Sequence, residues 1–74
     1  MSPILQLRKS VFGISQAELA AIAKTSQGTV SKWEAGELEP DREQLALIRE
    51  AALKRGLEWS DAWFFEPAPT EART

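Results

Sequence analysis

The side chains in this chain that can do chemistry are amides, hydroxyls and amines, not acid–base or redox groups. Gln27, Gly28, Ser31 and Lys32 fall on one side of a helical period, and Val30 and Trp33 fall on the other. A face of the first kind makes hydrogen bonds and meets negative charge. It does not move protons or carry electrons. The chain has no histidine and no cysteine, so it lacks the commonest general acid–base and the thiolate metal ligands. It also has no glycine-rich phosphate loop and no carboxylate pair of defined spacing. This inventory argues against an enzyme, and neither a metal nor a cofactor is expected.

A polar stripe is useful only on a rigid support, and the start and stop signals say what that support is. Ser2 before Pro3 reads as an N-cap and first helical residue, with Ile4, Leu7 and Val11 following at helical spacing up to Gly13. Ser15 and Glu18 form a capping box for a second helix whose inner face is Leu19, Ala20 and Ala23. Lys24 and Thr25 interrupt it. Ser26 caps a third helix that ends at Gly36. Asp41 and Gln44 open a fourth, with Leu45, Ile48 and Ala52 inward, Lys54 and Arg55 in its last turn, and Gly56 as its stop. A fifth short helix is expected from Ser60, carrying Trp63 and Phe64 and ended by Pro67 and Pro69. No segment alternates as a strand does. The expectation is an all-α, compact five-helix bundle over residues 1–66 with a disordered tail over 67–74. Two short helices can cross steeply only where a side chain is small, and Ala20 sits at that crossing.

Composition sets the class. A chain of 74 residues, 43% of them hydrophobic, makes one small domain and not a disordered segment. The absence of cysteine suits a reducing compartment. No apolar run nears the roughly 20 residues a membrane span needs, and the first residues do not read as a secretory signal; a cytoplasmic location is expected. The formal net charge is −2, which alone argues against a nucleic-acid partner. The charge is uneven, however. Residues 1–36 carry four basic and two acidic side chains, and residues 37–74 carry five basic and nine acidic. A basic front and an acidic back orient a domain on a polyanion, although short chains also show such scatter by chance.

The segment SQAELAAIAKTSQGTVSKWEAG, running from Ser15 to Gly36, resembles the phage-repressor-like (Cro/cI, XRE-type) helix-turn-helix family. Ser15-Gln16, Leu19-Ala20, Val30-Ser31, Trp33-Glu34, Gly36 and Pro40 stand where that pattern places them, and the likeness covers about residues 4–56. It implies a lambda-repressor-like bundle whose second and third helices bind double-stranded DNA. By the same resemblance Gln27 reads a base edge in the major groove, where a carboxamide can pair with adenine N6 and N7. Gln16 is expected to contact phosphate and to brace Gln27. Gly28 occupies a neighbouring base-contacting position without a side chain. Lys32 can reach a guanine or a phosphate, or remain a solvated charge. Ser26, Thr29 and Ser31 are secondary contacts, with Ser26 equally readable as a cap alone; Ser15 and Lys24 are candidate phosphate contacts. Ala20, Val30, Trp33 and Glu34 are structural. The family pairs Glu34 with a basic residue of the first helix, which here matches Lys9, with Arg8 as its neighbour.

This chain departs from the pattern in three places. Lys24 stands where the turn commonly has glycine; a left-handed conformation costs other residues about 1 kcal/mol, so the turn is expected to be either of a different type or slightly strained. Ala35 replaces a common phosphate-contacting asparagine. Glu37 and Glu39 fill a loop that is often basic. Phosphate contacts dominate such affinities, so one copy should bind weakly and a homodimer is expected. Trp59, Trp63, Phe64 and Phe65 are candidates for its interface, or they fold back over Leu45 and Ile48 and close the core. The expected role is a sequence-specific transcriptional regulator, a repressor on a palindromic operator. The alternatives are the antitoxin of a toxin–antitoxin pair, or a protein-interaction module that keeps the fold without DNA binding.

Overall fold

The computed structural model describes residues 3–64. The Ser2 cap, Phe65 and the tail over 67–74 lie outside the described residues. Within them the chain is helical throughout and has no strand: α1 (Pro3–Gln6) runs into a π turn (Leu7–Phe12), followed by α2 (Gln16–Ala23), α3 (Gln27–Ala35), α4 (Arg42–Lys54) and a 3-10 turn (Asp61–Phe64).

The first element differs from the uniform helix expected. Beyond Gln6 the turn widens, and the Gly13 N–H donates to the Arg8 carbonyl at 2.7 Å, five residues back. Ile4 and Leu7 remain buried, and Val11 and Phe12, adjacent in sequence, both pack on the core.

The α2 and α4 starts are as the sequence predicts. Ser15 and Glu18 close a capping box on α2, and Asp41 and Gln44 close one on α4. The helix ends share one device. After α2, Thr25 N–H reaches the Ala20 carbonyl at 2.9 Å; after α3, Glu37 N–H reaches Lys32 at 2.9 Å; after α4, Leu57 N–H reaches Ala52 at 3.0 Å. These are Schellman stops, which need a residue at positive φ. Gly36 supplies it for α3 at φ 83°, and Lys24 supplies it for α2 at φ 58°. The turn therefore keeps the left-handed form despite lacking glycine, so the strained alternative is the one realised.

Leu7, Leu19, Ala20, Ala23, Val30, Trp33 and Ile48 form the shared core with Ile4, and Ala52 is also buried. Ala20 is 4% exposed. Val30 and Trp33 are 0% and 3% exposed. Burying side chains of this kind is worth about 1.5–3 kcal/mol each, enough for two of them to fix a nine-residue helix that could not hold itself in water.

The fifth element is one 3-10 turn and not an α-helix. It starts at Ser60 as expected, with Trp63 N–H donating to the Ser60 carbonyl at 3.0 Å. That single turn suffices to fold its rings back. Trp59 meets Phe12, Trp63 and Phe64 edge-to-face at centroid distances of 6.5, 6.1 and 5.1 Å, and all four are half-buried against the core. Arg55 lies over the Phe12 ring at 5.6 Å, and the Trp59 indole N–H donates to Asp61 at 2.8 Å. Among the described residues no helix is long and apolar enough to cross a membrane.

Candidate nucleic-acid interface

The outward face of α3 is assembled by what lies beneath it. Val30 and Trp33 point into the core, so Gln27, Gly28, Ser31 and Lys32, on the opposite side of the period, are all exposed. Ser26 is the N-cap. Its hydroxyl accepts from the Thr29 N–H at 3.1 Å and lies 3.0 Å from the Thr29 hydroxyl. Capping is thus shown for Ser26, and Thr29 is tied to it. Gly28 has open space above it: an added Cβ would meet only Ser26 Oγ at 3.8 Å. Internal packing therefore does not require glycine there. A bare backbone permits close approach by a partner's surface.

Behind this face runs a chain of hydrogen bonds. Gln27 Nε2 donates to Gln16 Oε1 at 3.3 Å, and Gln16 Nε2 donates to Glu34 Oε1 at 2.9 Å. Glu34 receives Arg8 through both Nε and Nη2, the latter at 3.2 Å, while Arg8 Nη1 donates to the Ile14 carbonyl at 2.9 Å. The pair is shielded, with side-chain exposures of 12% for Arg8 and 9% for Glu34.

The partner of Glu34 is therefore Arg8 and not Lys9, which corrects the sequence expectation. The physical reason is the number of donors and their geometry. Lys9 is exposed and Arg8 half-buried. A guanidinium fork then serves a carboxylate and a backbone carbonyl together, which one ammonium cannot do in a plane. Lys9 adds only its charge. Burial pushes the Glu34 carboxyl up, but the hydrogen bonds from Arg8 and Gln16 and the charges of Arg8 and Lys9 outweigh it. The group is held below its ordinary value of 4.5.

The other expected residues fall as follows. Ser15 is engaged in its capping box, with N–H donating to Glu18 Oε1 at 3.1 Å. Lys24 is exposed at the turn between α2 and α3, adjoining a concavity of about 680 Å³ between α2 and α4. None of the α3 stripe lines that concavity. Among the described residues no group of acidic side chains is arranged to hold a metal. Glu37 and Glu39 are exposed beyond the end of α3. Trp33 is core, not a stacking platform. The structure thus gathers Gln16, Ser26, Gln27, Gly28, Thr29, Ser31 and Lys32 around the start and outer side of one helix, and adds Arg8 as their deepest support.

A family model described as helix-turn-helix matches residues 4–59. No curated protein matches the chain, and no solved structure does.

Proposed function

Since the chain belongs to the helix-turn-helix family of the Cro/cI-like, XRE type, a family of DNA-binding regulators, we propose that it is a sequence-specific transcription regulator that reads the major groove with α3. The observation that carries this reading is the exposed stripe of Gln27, Ser31 and Lys32 on a helix whose opposite face is fully buried. A cylinder of that width enters the groove. Gln27 at its first turn meets base edges, Gln16 and Ser31 meet the backbone, and Lys32 meets a guanine or a phosphate. Occupancy of such a site excludes other proteins from it, so the proposed role is that of a repressor, working in the cytoplasm.

One copy presents few cations to phosphate, and the Glu37 and Glu39 carboxylates beside the reading face oppose it. A homodimer on a palindromic site restores affinity by placing two reading helices about 34 Å apart, one turn of DNA. The C-terminal aromatics serve the core first, as their ring contacts indicate. Phe64 also lines, with Leu38, Pro40 and Leu45, an open groove of about 340 Å³. Leu38 is 48% exposed. This apolar edge is the surface proposed for the second copy.

Selection from a randomised duplex library, followed by titration of the enriched sequence, tests the proposal. One palindromic consensus, bound at least about 10³-fold more tightly than a scrambled duplex, is expected. Loss of base preference in Gln27→Ala is expected with it. Sedimentation should show a dimer that Phe64→Asp disrupts. Binding without any preferred sequence, or none at low salt, contradicts the proposal.

A further inference from the structure

The hydrogen-bond chain behind α3 has a direction that one group imposes. A carboxylate can only accept hydrogen bonds. The Glu34 carboxylate, fixed by Arg8 at two nitrogens, therefore compels Gln16 to turn its amide NH2 inward, at 2.9 Å. The Gln16 carbonyl is then the atom facing Gln27, and it compels Gln27 to commit one of its two N–H donors, at 3.3 Å. What Gln27 keeps for a base is one N–H and one carbonyl. That pair matches adenine, which offers N7 as acceptor and N6–H2 as donor. It does not match guanine, which offers two acceptors, N7 and O6.

We infer that the Arg8–Glu34 ion pair, through Gln16, sets the base specificity of Gln27 by withholding one of its donors, so that adenine is accepted and guanine refused. This rests on the reading that Gln27 contacts a base. Glu34 and Arg8 are positioning residues that touch no DNA. Without the carboxylate, the Gln16 amide is free to turn over and present its N–H to the Gln27 carbonyl. Gln27 then keeps two outward N–H donors, the pattern guanine takes. The amide orientation, invisible in either glutamine alone, is decided by the one member of the chain that has no donor at all.

The experiment uses the duplex selected by the full protein. Gln27→Ala first locates the base pair whose preference depends on that side chain. The affinities of the wild type, Glu34→Gln and Gln16→Met are then measured on two duplexes that differ at that pair only, A·T against G·C. A ratio between two duplexes is unaffected by the folded fraction of a weakened variant, so destabilisation alone leaves it unchanged. Gln16→Met removes the relay while retaining the ion pair, which covers failure of Glu34→Gln to fold. The expected result is a wild-type adenine preference of about 10-fold or more, falling to about 3-fold or less in both variants. A full adenine preference retained in Gln16→Met or in a folded Glu34→Gln overturns the inference and leaves the reading by Gln27 intact. An unchanged base preference in Gln27→Ala overturns the reading itself.

Discussion

At the scale of single residues, the proposed reading face of α3 involves charges of two kinds. Lys32 is exposed on the stripe. Lys32→Ala should weaken DNA binding about tenfold, and where its contact is to phosphate it should lower the slope of log affinity against log salt by about one; titration at several salt concentrations reads both. Glu34 is shielded and paired. Its folded pKa lies below 4.5, so its contribution to stability is fully present above that value and is lost as the pH falls through the folded pKa. Glu34→Gln should cost about 1–3 kcal/mol at pH 7, with the gap to wild type closing as the pH drops below 4.5. Urea unfolding of both proteins at pH 7 and under acid conditions measures it. A gap that is constant with pH would show that the carboxylate charge contributes nothing. That Gln16 braces Gln27 and that Glu34 pairs with the first helix were legible only through the family resemblance, and the Gln16–Glu34 bond was not foreseen. Arg8 in place of Lys9 was missed, although Arg8, four residues after Ile4, shares the inward face of Ile4, Leu7 and Val11 and Lys9 does not.

At the scale of elements, the helix junction between α2 and α3 is the part most exposed to test. Ala20→Leu should overpack the crossing and cost about 1–3 kcal/mol, seen as a lower Tm by circular dichroism. An unchanged Tm would mean the two helices have room there. Lys24 holds a left-handed conformation at φ 58°. Lys24→Gly should relieve about 1–2 kcal/mol of backbone strain while adding about 0.4–1 kcal/mol of unfolded-chain entropy. The net expectation is a Tm higher by a few degrees, and a fall in Tm would place the cost elsewhere. Caps and stops were legible because each is a local event. Ser15 with Glu18, Asp41 with Gln44, and Gly36 carry their geometry within a few residues. The π turn was not, since Ile4, Leu7 and Val11 suit an α-helix equally well. The fifth element was placed correctly at Ser60, and its described residues, Asp61–Phe64, take the 3-10 form in place of the α-helix expected.

At the scale of the molecule, α4 packs against α2 and the C-terminal turn packs against α1, and the DNA reading proposed above falls to the basic half. The use of Trp59, Trp63 and Phe64 was open in the sequence, because whether an aromatic ring is buried depends on partners such as Phe12 that lie some fifty residues away. The central claim is that α3 presents its outer face to DNA. Nitrogen-15 correlation spectra of the full protein, recorded while the selected duplex is added, test it most directly. The largest shifts are expected at the backbone amides of residues 26–32 and at the side-chain amides of Gln16 and Gln27, with α4 amides such as Glu43 and Glu50 unmoved. Shifts confined to α4 or to the segment from Trp59 to Phe64, with α3 silent, would contradict it.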